Sequence, residues 1–448
     1  MEQKKAVNLR SVEALQIFDS RDNPTIACRM NLSDGNAVWF KVPSGASTGE
    51  KEALELRDND PKKYRGKGVS KAIRNISDAI SPAIKGLRVD RVRQDEFDSI
   101  LIELDGTPNK SKLGANAILA VSGAFARAKA HTEGCSLWKR FAMSNKRMPV
   151  PQFNVLNAGK HADTGFEVQE TMVVPVGAES FSEAMEMGTN VWHALKSVLK
   201  KQGNSTGRGD EGGFVNPFDS IDKTAEAVLE AVGKCGYAPG TDIALAFDGA
   251  FSEISGKDLK DEAAAPDDKT YHFGGRRAAP EEIVEFWAEK AELYPIISIE
   301  DGVGEKDTEG WKLLTKRLGS KVQLVLDDYI CTNPAIIRQA IKDGLGNSHL
   351  IKLNQIGTVT ETIEAMALTT KSGKTNVLSH RSGETEDDFI GQFAMHEGIS
   401  QIKSGSSGSE RMAKYNALLA IEHELGPEAE YRGLGAFPKS VQSNWSDK

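Results

Sequence analysis

Asp248, Glu300 and Asp327 each close a run of apolar residues, in IALAFDG, IISIED and VQLVLDD. Lys352, His380 and Lys403 close three more, in HLIKLN, TNVLSHR and SQIKSG. A carboxylate at the end of a buried strand is costly to desolvate unless something compensates it. Three brought together repel one another, and a cation among them is the simplest remedy. An oxygen-only ligand set, without cysteine and with no obligatory histidine, suits Mg2+, which keeps waters and accepts substrate oxygens. Asp328, next to Asp327, is expected to make a loop or salt-bridge contact instead.

The cationic strand ends suggest the chemistry beside such a metal. Lys352 lies between apolar neighbours in IKLN, and proximity to a metal and to Lys403 is expected to depress its pKa, leaving a neutral amine able to take a proton. Arg381 offers a planar fork for a phosphate or carboxylate, with Ser379 and Ser382 beside it in LSHRSGETED. Glu211 sits on a glycine-flanked turn in GRGDEGGF, and NAGKHADTGFEVQE supplies His161, Gln169 and Glu170. A carboxylate in a glycine turn or a lone histidine is commonly structural, so these gain weight only by converging with the others.

Convergence depends on the elements between them. Asp327 to Lys352 is 25 residues, Lys352 to His380 is 28, His380 to Lys403 is 23 and Glu300 to Asp327 is 27, each the length of one strand, loop and helix. Asp248 to Glu300 is 52, the excess falling in a Gly/Asp/Lys-rich insertion at 255–275. A β/α barrel gathers all such strand ends on one rim, whereas an open doubly wound sheet would spread them along a crevice. The barrel is the preferred reading. VPQFNVL (150–156) and TMVVPV (171–176) supply the remaining strands, and their short connection predicts an antiparallel, irregular start. Helices are readable between strands: FSEAMEMGTNVWHALKSVL puts Phe181, Met185, Gly188, Trp192, Leu195 and Leu199 on one stripe, and Asn333 with Pro334 opens another.

Before the polar segment MSNKRMP (143–149) the pattern is α+β, with strands at 11–18 and 25–32 and helices around 70–85 and 115–130. The expected division is an α+β domain at 1–143 and a barrel domain at 144–448. The flexible stretch KVPSGASTGEKEA reads as a lid or a linker. It is not a P-loop, because Gly45 and Gly49 are too close together and Glu50 stands where a lysine is required.

Composition narrows the partners. With 56 Lys and Arg against 64 Asp and Glu the net charge is -8, so nucleic acid gains no general attraction. The four cysteines have no C-x-x-C spacing, which argues against a disulfide framework or zinc knuckle. The first residues have no signal-like apolar core, and no apolar run approaches the roughly 18 residues a membrane span requires. A soluble cytoplasmic protein without membrane or nucleic-acid partners is expected.

IFDSRDNPT, VPSGASTG, LGANAILAVS, GDEGGF, SIED, LDD, IKLNQIG, SHRSGETED and QIKSG occur in this order, and with them nearly the whole chain resembles the enolase family. The resemblance implies an irregular TIM-like barrel behind a smaller α+β domain, and the reversible dehydration of 2-phosphoglycerate to phosphoenolpyruvate in glycolysis and gluconeogenesis. It implies Lys352 as base, Glu211, protonated, as general acid, and Asp248, Glu300 and Asp327 as Mg2+ ligands. It further implies Ser47 on a lid as ligand to a second Mg2+ that arrives with substrate. His161, Gln169, Glu170, Ser379, His380, Arg381, Ser382 and Lys403 are implied as substrate-binding, and a homodimer or higher homo-oligomer is expected. Asp22 and Ala158 stand where the family usually has glycine, and the loop SGSSGSER is short and lacks an expected arginine. The alternatives are a catalytically silent scaffold and a superfamily dehydratase or epimerase acting on another hydroxy acid.

Overall fold

The computed structural model describes residues 6–46, 49–162, 168–256 and 270–445. The smaller N-terminal domain begins with an antiparallel sheet, β1 (Leu9–Phe18), β2 (Pro24–Leu32) and β3 (Ala37–Lys41), with β2 in the centre. The helix Ala115–Glu133 packs on β2 and β3. Its small side chains allow close approach: a Cβ on Gly123 would lie 2.5 Å from the Phe40 ring. Between β1 and β2 the Asp19 carboxylate accepts the Arg21 and Asn23 amides, each at 2.9 Å, and closes a turn that puts Asp22 at φ 55. Aspartate tolerates that left-handed conformation better than most residues, so the turn survives without glycine.

The C-terminal domain is a closed eight-stranded barrel. Its strands are β4 (Val150–Asn157), β5 (Glu170–Val174), β6 (Ala244–Asp248), β7 (Ile296–Glu300), β8 (Gln323–Leu326), β9 (Ser348–Ile351), β10 (Thr375–Ser379) and β11 (Gln401–Lys403). β5 runs antiparallel to both β4 and β6, every later pair is parallel, and β11 pairs with β4 to close the ring. The antiparallel start read from the short connection is therefore present. Nearly every strand residue is buried, as expected when helices cover the outside and side chains fill the inside.

Local rules set the helices. Ser180 accepts the Glu183 amide at the start of Phe181–Lys201, and the expected stripe is buried apart from a half-buried Trp192. Gly188 of that stripe lies against Phe153 of β4, where an added Cβ would come within 2.3 Å of the ring. Asn333 caps the next predicted start by accepting the Ala335 amide, with Pro334 in the first turn. A two-residue strand, Phe214–Val215, runs parallel to the end of β4 and brings the glycine-rich turn carrying Glu211 over the barrel mouth. Ala158 has φ -141, ordinary extended backbone, so the change from glycine introduces no strain there.

Candidate functional site

Strand register assembles the site. Glu170 on β5 lies opposite Asp248 on β6, and Asp248 opposite Glu300 on β7, so three carboxylates stand in a row at the mouth. Lys403, at the end of β11, reaches across to them. Its Nζ is 3.2 Å from Asp248 Oδ2, 2.9 Å from both Glu300 oxygens and 3.0 Å from Glu170 Oε2. Burial pushes the Lys403 ammonium down, but these carboxylates outweigh burial and hold it far above the ordinary lysine range.

Asp327 follows β8 and has a different partner. Lys352, just beyond β9, is ion-paired to its Oδ2, and Gln355 donates to its Oδ1 at 2.8 Å. Thr332 braces the pair: its hydroxyl accepts the Lys352 backbone amide at 2.9 Å and donates to Gln355 at 2.6 Å. Thr332 has φ 52, a strained value for a β-branched residue that the surrounding contacts must sustain. The expected depression of the Lys352 pKa is corrected here. Burial does pull the ammonium down, but the Asp327 carboxylate against it more than compensates, and the pKa lies above the ordinary lysine value.

Asp301 escaped the sequence reading although it adjoins Glu300 in SIED. Its carboxylate accepts the amides of Asp327 and Asp328, both at 3.0 Å. Asp301, Asp327 and Asp328 form one close group of potential metal-ligand oxygens; His161, Glu170 and Glu211 form another. Asp328 thus belongs to the acid cluster, in place of the separate loop or salt-bridge contact expected. Asp248 and Glu300 meet on Lys403, and among the described residues neither belongs to the close group that holds Asp327.

Across the mouth, Glu211 Oε2 accepts from Asn154 Nδ2 at 3.0 Å and faces His380 Nε2 at 3.2 Å, while Oε1 lies 3.7 Å from His161 Nδ1. That same His161 nitrogen is 3.2 Å from Glu170 Oε1. Burial raises Glu211, but His380 and His161 outweigh it and leave the carboxyl well below its ordinary range. Glu170 is raised by burial and by the Glu211 charge. The expectation of a protonated Glu211 meets the opposite direction here: Asn154 donates to its carboxylate, and the facing histidines pull its pKa down.

Arg381 is held by Glu52, at 3.0 and 3.2 Å, and by Asn354 Oδ1 at 3.0 Å. The N-terminal domain approaches closely here. Ala46 donates its amide to Ser382 Oγ at 2.8 Å, and Ser44 and Gly383 exchange backbone bonds at 2.7 and 2.8 Å. Ser47 lies outside the described residues. One pocket is lined by His161, Gln169, Glu170, Glu211, Asp248, Asp301, Asp327, Asp328, Lys352, Ser379, His380, Arg381, Ser382 and Lys403. Glu300 stands behind Lys403. Glu52 and Arg411, both in contact with this set, also went unread, since nothing local marks a loop glutamate or an arginine early in a helix.

The donor set fits a divalent cation. It is buried, built of oxygens and richer in carboxylates than in cations. Burial drives Glu300, Asp301 and Asp328 upward and neighbouring carboxylates add to the rise, which is the condition a positive ion relieves.

Two family models match the chain. One, described as the enolase C-terminal TIM barrel domain, covers residues 145–440; the other, the enolase N-terminal domain, covers 9–141.

Proposed function

Because the chain belongs to the enolase family, we propose that it catalyses the reversible dehydration of 2-phospho-D-glycerate to phosphoenolpyruvate. The observation that carries this reading is the placement of base and acid. β5 and β9 are four strands apart in a ring of eight, so Lys352 faces the Glu170, His161 and Glu211 cluster across the mouth, with Lys403 reaching between.

The proton on C2 is weakly acidic because its removal adds charge to an existing carboxylate. Mg2+ held by Asp248, Glu300 and Asp327, with a second ion engaging Ser47, would supply the positive charge that stabilises the resulting dianion. Lys403 adds its own ammonium beside that carboxylate. Lys352 removes the C2 proton first; it is competent as a base when Asp327 is no longer committed to its ammonium. Glu211 then delivers a proton to the departing C3 hydroxyl, using the proton shared within its cluster with His161 and Glu170. Arg381 and Ser382, with Ser379 and His380 behind them, bind the phosphate, so substrate competes with Glu52 for the guanidinium. Gln169 completes the wall next to Glu170.

The test is formation of phosphoenolpyruvate from 2-phosphoglycerate by purified protein, followed by absorbance with Mg2+ and with EDTA. Mg2+-dependent product formation is expected. Its absence at high enzyme concentration would return the choice to a silent scaffold or a relative acting on another hydroxy acid. The same reading carries a cytoplasmic homodimer, testable by localisation and by light scattering.

A further inference from the structure

Arg411 is wholly buried near the start of the helix Ser409–Leu425, although SGSSGSERMAK reads as a surface loop entering a helix. Its guanidinium donates to the carbonyls of Arg381 (2.5 Å), Ser382 (2.6 Å) and Asp210 (2.7 Å), and to Ser20 Oγ at 3.3 Å. Asp210 precedes Glu211, and Arg381 follows His380. Its Nε lies 3.4 Å from Glu410 Oε1, and Nη1 meets the His380 ring itself, at 2.7 Å from Nδ1.

A guanidinium has only donors and keeps its charge. His380 Nδ1 must therefore present a lone pair to Arg411. A neutral imidazole then carries its single proton on Nε2, and Nε2 faces Glu211 Oε2 at 3.2 Å. The opposite tautomer would be repelled at both ends, N–H against N–H at Arg411 and lone pair against carboxylate at Glu211.

We propose that Arg411 is a positioning residue: it locks His380 in the Nε2–H tautomer, which fixes Glu211 Oε2 as an acceptor and leaves Oε1 as the oxygen that exchanges a proton with substrate. Asn154 Nδ2 donates to the same Oε2 at 3.0 Å, so one donor and the facing Nε2, at 3.2 Å, converge on one carboxylate oxygen. Oε1 faces only the more distant His161 among these neighbours, at 3.7 Å. Burial, with Arg411 adding to it, brings the His380 pKa down to about 4 against the pull of Glu211, which accords with a neutral ring. Only the last step, transfer from Oε1 to substrate, rests on the function proposed above; the tautomer stands on geometry alone.

The experiment has two arms. In the intact protein labelled with nitrogen-15 histidine, the His380 signals are assigned as those absent from His380→Gln. At neutral pH they are expected to show a pyrrole-type Nε2 and a pyridine-type Nδ1. An Nδ1–H ring or an imidazolium would overturn the proposal whatever the Arg411 variants do, so this arm survives their failure to fold. In the second arm, folded Arg411→Lys and Arg411→Gln are expected to lose the single tautomer. Their kcat for phosphoenolpyruvate formation should fall about 10- to 100-fold with KM within about twofold, the scale of a misaligned proton-transfer group. Solvent exchange of the C2 hydrogen, which needs Lys352 and precedes hydroxide departure, should persist near the wild-type rate. Equal loss of exchange and dehydration would mean a merely structural arginine and would overturn the proposal, as would an unchanged kcat. Wild-type protein that forms no phosphoenolpyruvate but shows the Nε2–H ring would defeat the proposed function and leave the tautomer assignment standing.

Discussion

Deep in the barrel Gln152, Gln323 and Gln401 bond to one another and to Ser298 and Thr375. Gln152 donates to Gln401 at 2.6 Å, Gln401 to Gln323 at 2.7 Å, and Gln323 to Ser298 at 3.0 Å. At the mouth the inward positions a few residues on carry charge: Lys403 stands two beyond Gln401, Glu300 two beyond Ser298, and Asp327 four beyond Gln323. Between the levels, Val325, Leu350 and Val377 form an apolar layer of their own. Both levels are buried polar groups on the same strands, aligned by the two-residue alternation of strand side chains. The floor satisfies itself with neutral amides, Gln323 and Gln401 each giving and receiving, and needs no ion and no particular pH. The mouth does not satisfy itself. It has more carboxylates than cations, and its lysines serve as internal counterions. Self-sufficiency marks a structural network; a charge imbalance maintained at the cost of desolvation marks a site built to receive something.

The largest expected break in this comparison is at Lys352. Lys352→Ala should lower the rate of phosphoenolpyruvate formation by about 10²- to 10⁴-fold, the range for a proton-transfer group, and turnover near wild type would remove it from the mechanism. Next is the metal. Melting in EDTA and in Mg2+ should differ by about 3 kcal/mol of stabilisation when the ion is a hundredfold above its Kd. Asp248→Asn or Glu300→Gln should abolish the difference, and persistence of the full shift in both would place the ion elsewhere.

The floor should answer in the opposite sense. Gln323→Leu leaves partners of a closed amide network unpaired, so urea unfolding should show a loss of about 1–3 kcal/mol while kcat stays within about twofold. A catalytic defect without a stability loss would erase the distinction between the two levels. The last effect is in the barrel wall and is absent at neutral pH. His349 of β9 pairs with Thr369 Oγ1 at 2.7 Å, and burial, with Lys374 adding to it, lowers its pKa to about 3. The folded protein then binds fewer protons than the unfolded chain from about pH 6.5 down to about 3, so stability is present above that window and is lost as pH falls through it. His349→Gln should flatten this acid slope by at most about 1.4 kcal/mol per pH unit. Parallel wild-type and variant slopes would show that the acid sensitivity lies elsewhere, at the mouth or the surface.

Much of the architecture was legible. The runs ending at Asp248, Glu300, Asp327, Lys352 and Lys403 became adjacent strands or strand ends, and the Ser180, Asn333 and Pro334 starts follow from capping preferences that act over three or four residues. Most residues picked from strand ends and glycine turns also line one pocket. The charge states were not legible. Lys352 looked like a lysine depressed by its surroundings, and Glu211 like a protonated acid; each turned out otherwise because of a partner from another strand, Asp327 in one case and His380 in the other. Arg411, Glu52 and Asp301 were missed because their partners are remote or because the local pattern offered a simpler reading.

What the sequence determined alone is where strands and helices begin and end, in what order they come, and which side chains stand at their ends. These follow from alternation, capping and turn chemistry, all of which act between near neighbours along the chain. Tertiary structure decided which acid meets which lysine, which histidine nitrogen bears the proton, and which carboxylates remain in excess. Ionisation and hydrogen-bond direction depend on groups within a few ångströms in space, and those groups arrive only when β11 closes on β4 and residues hundreds of positions apart share one dry mouth.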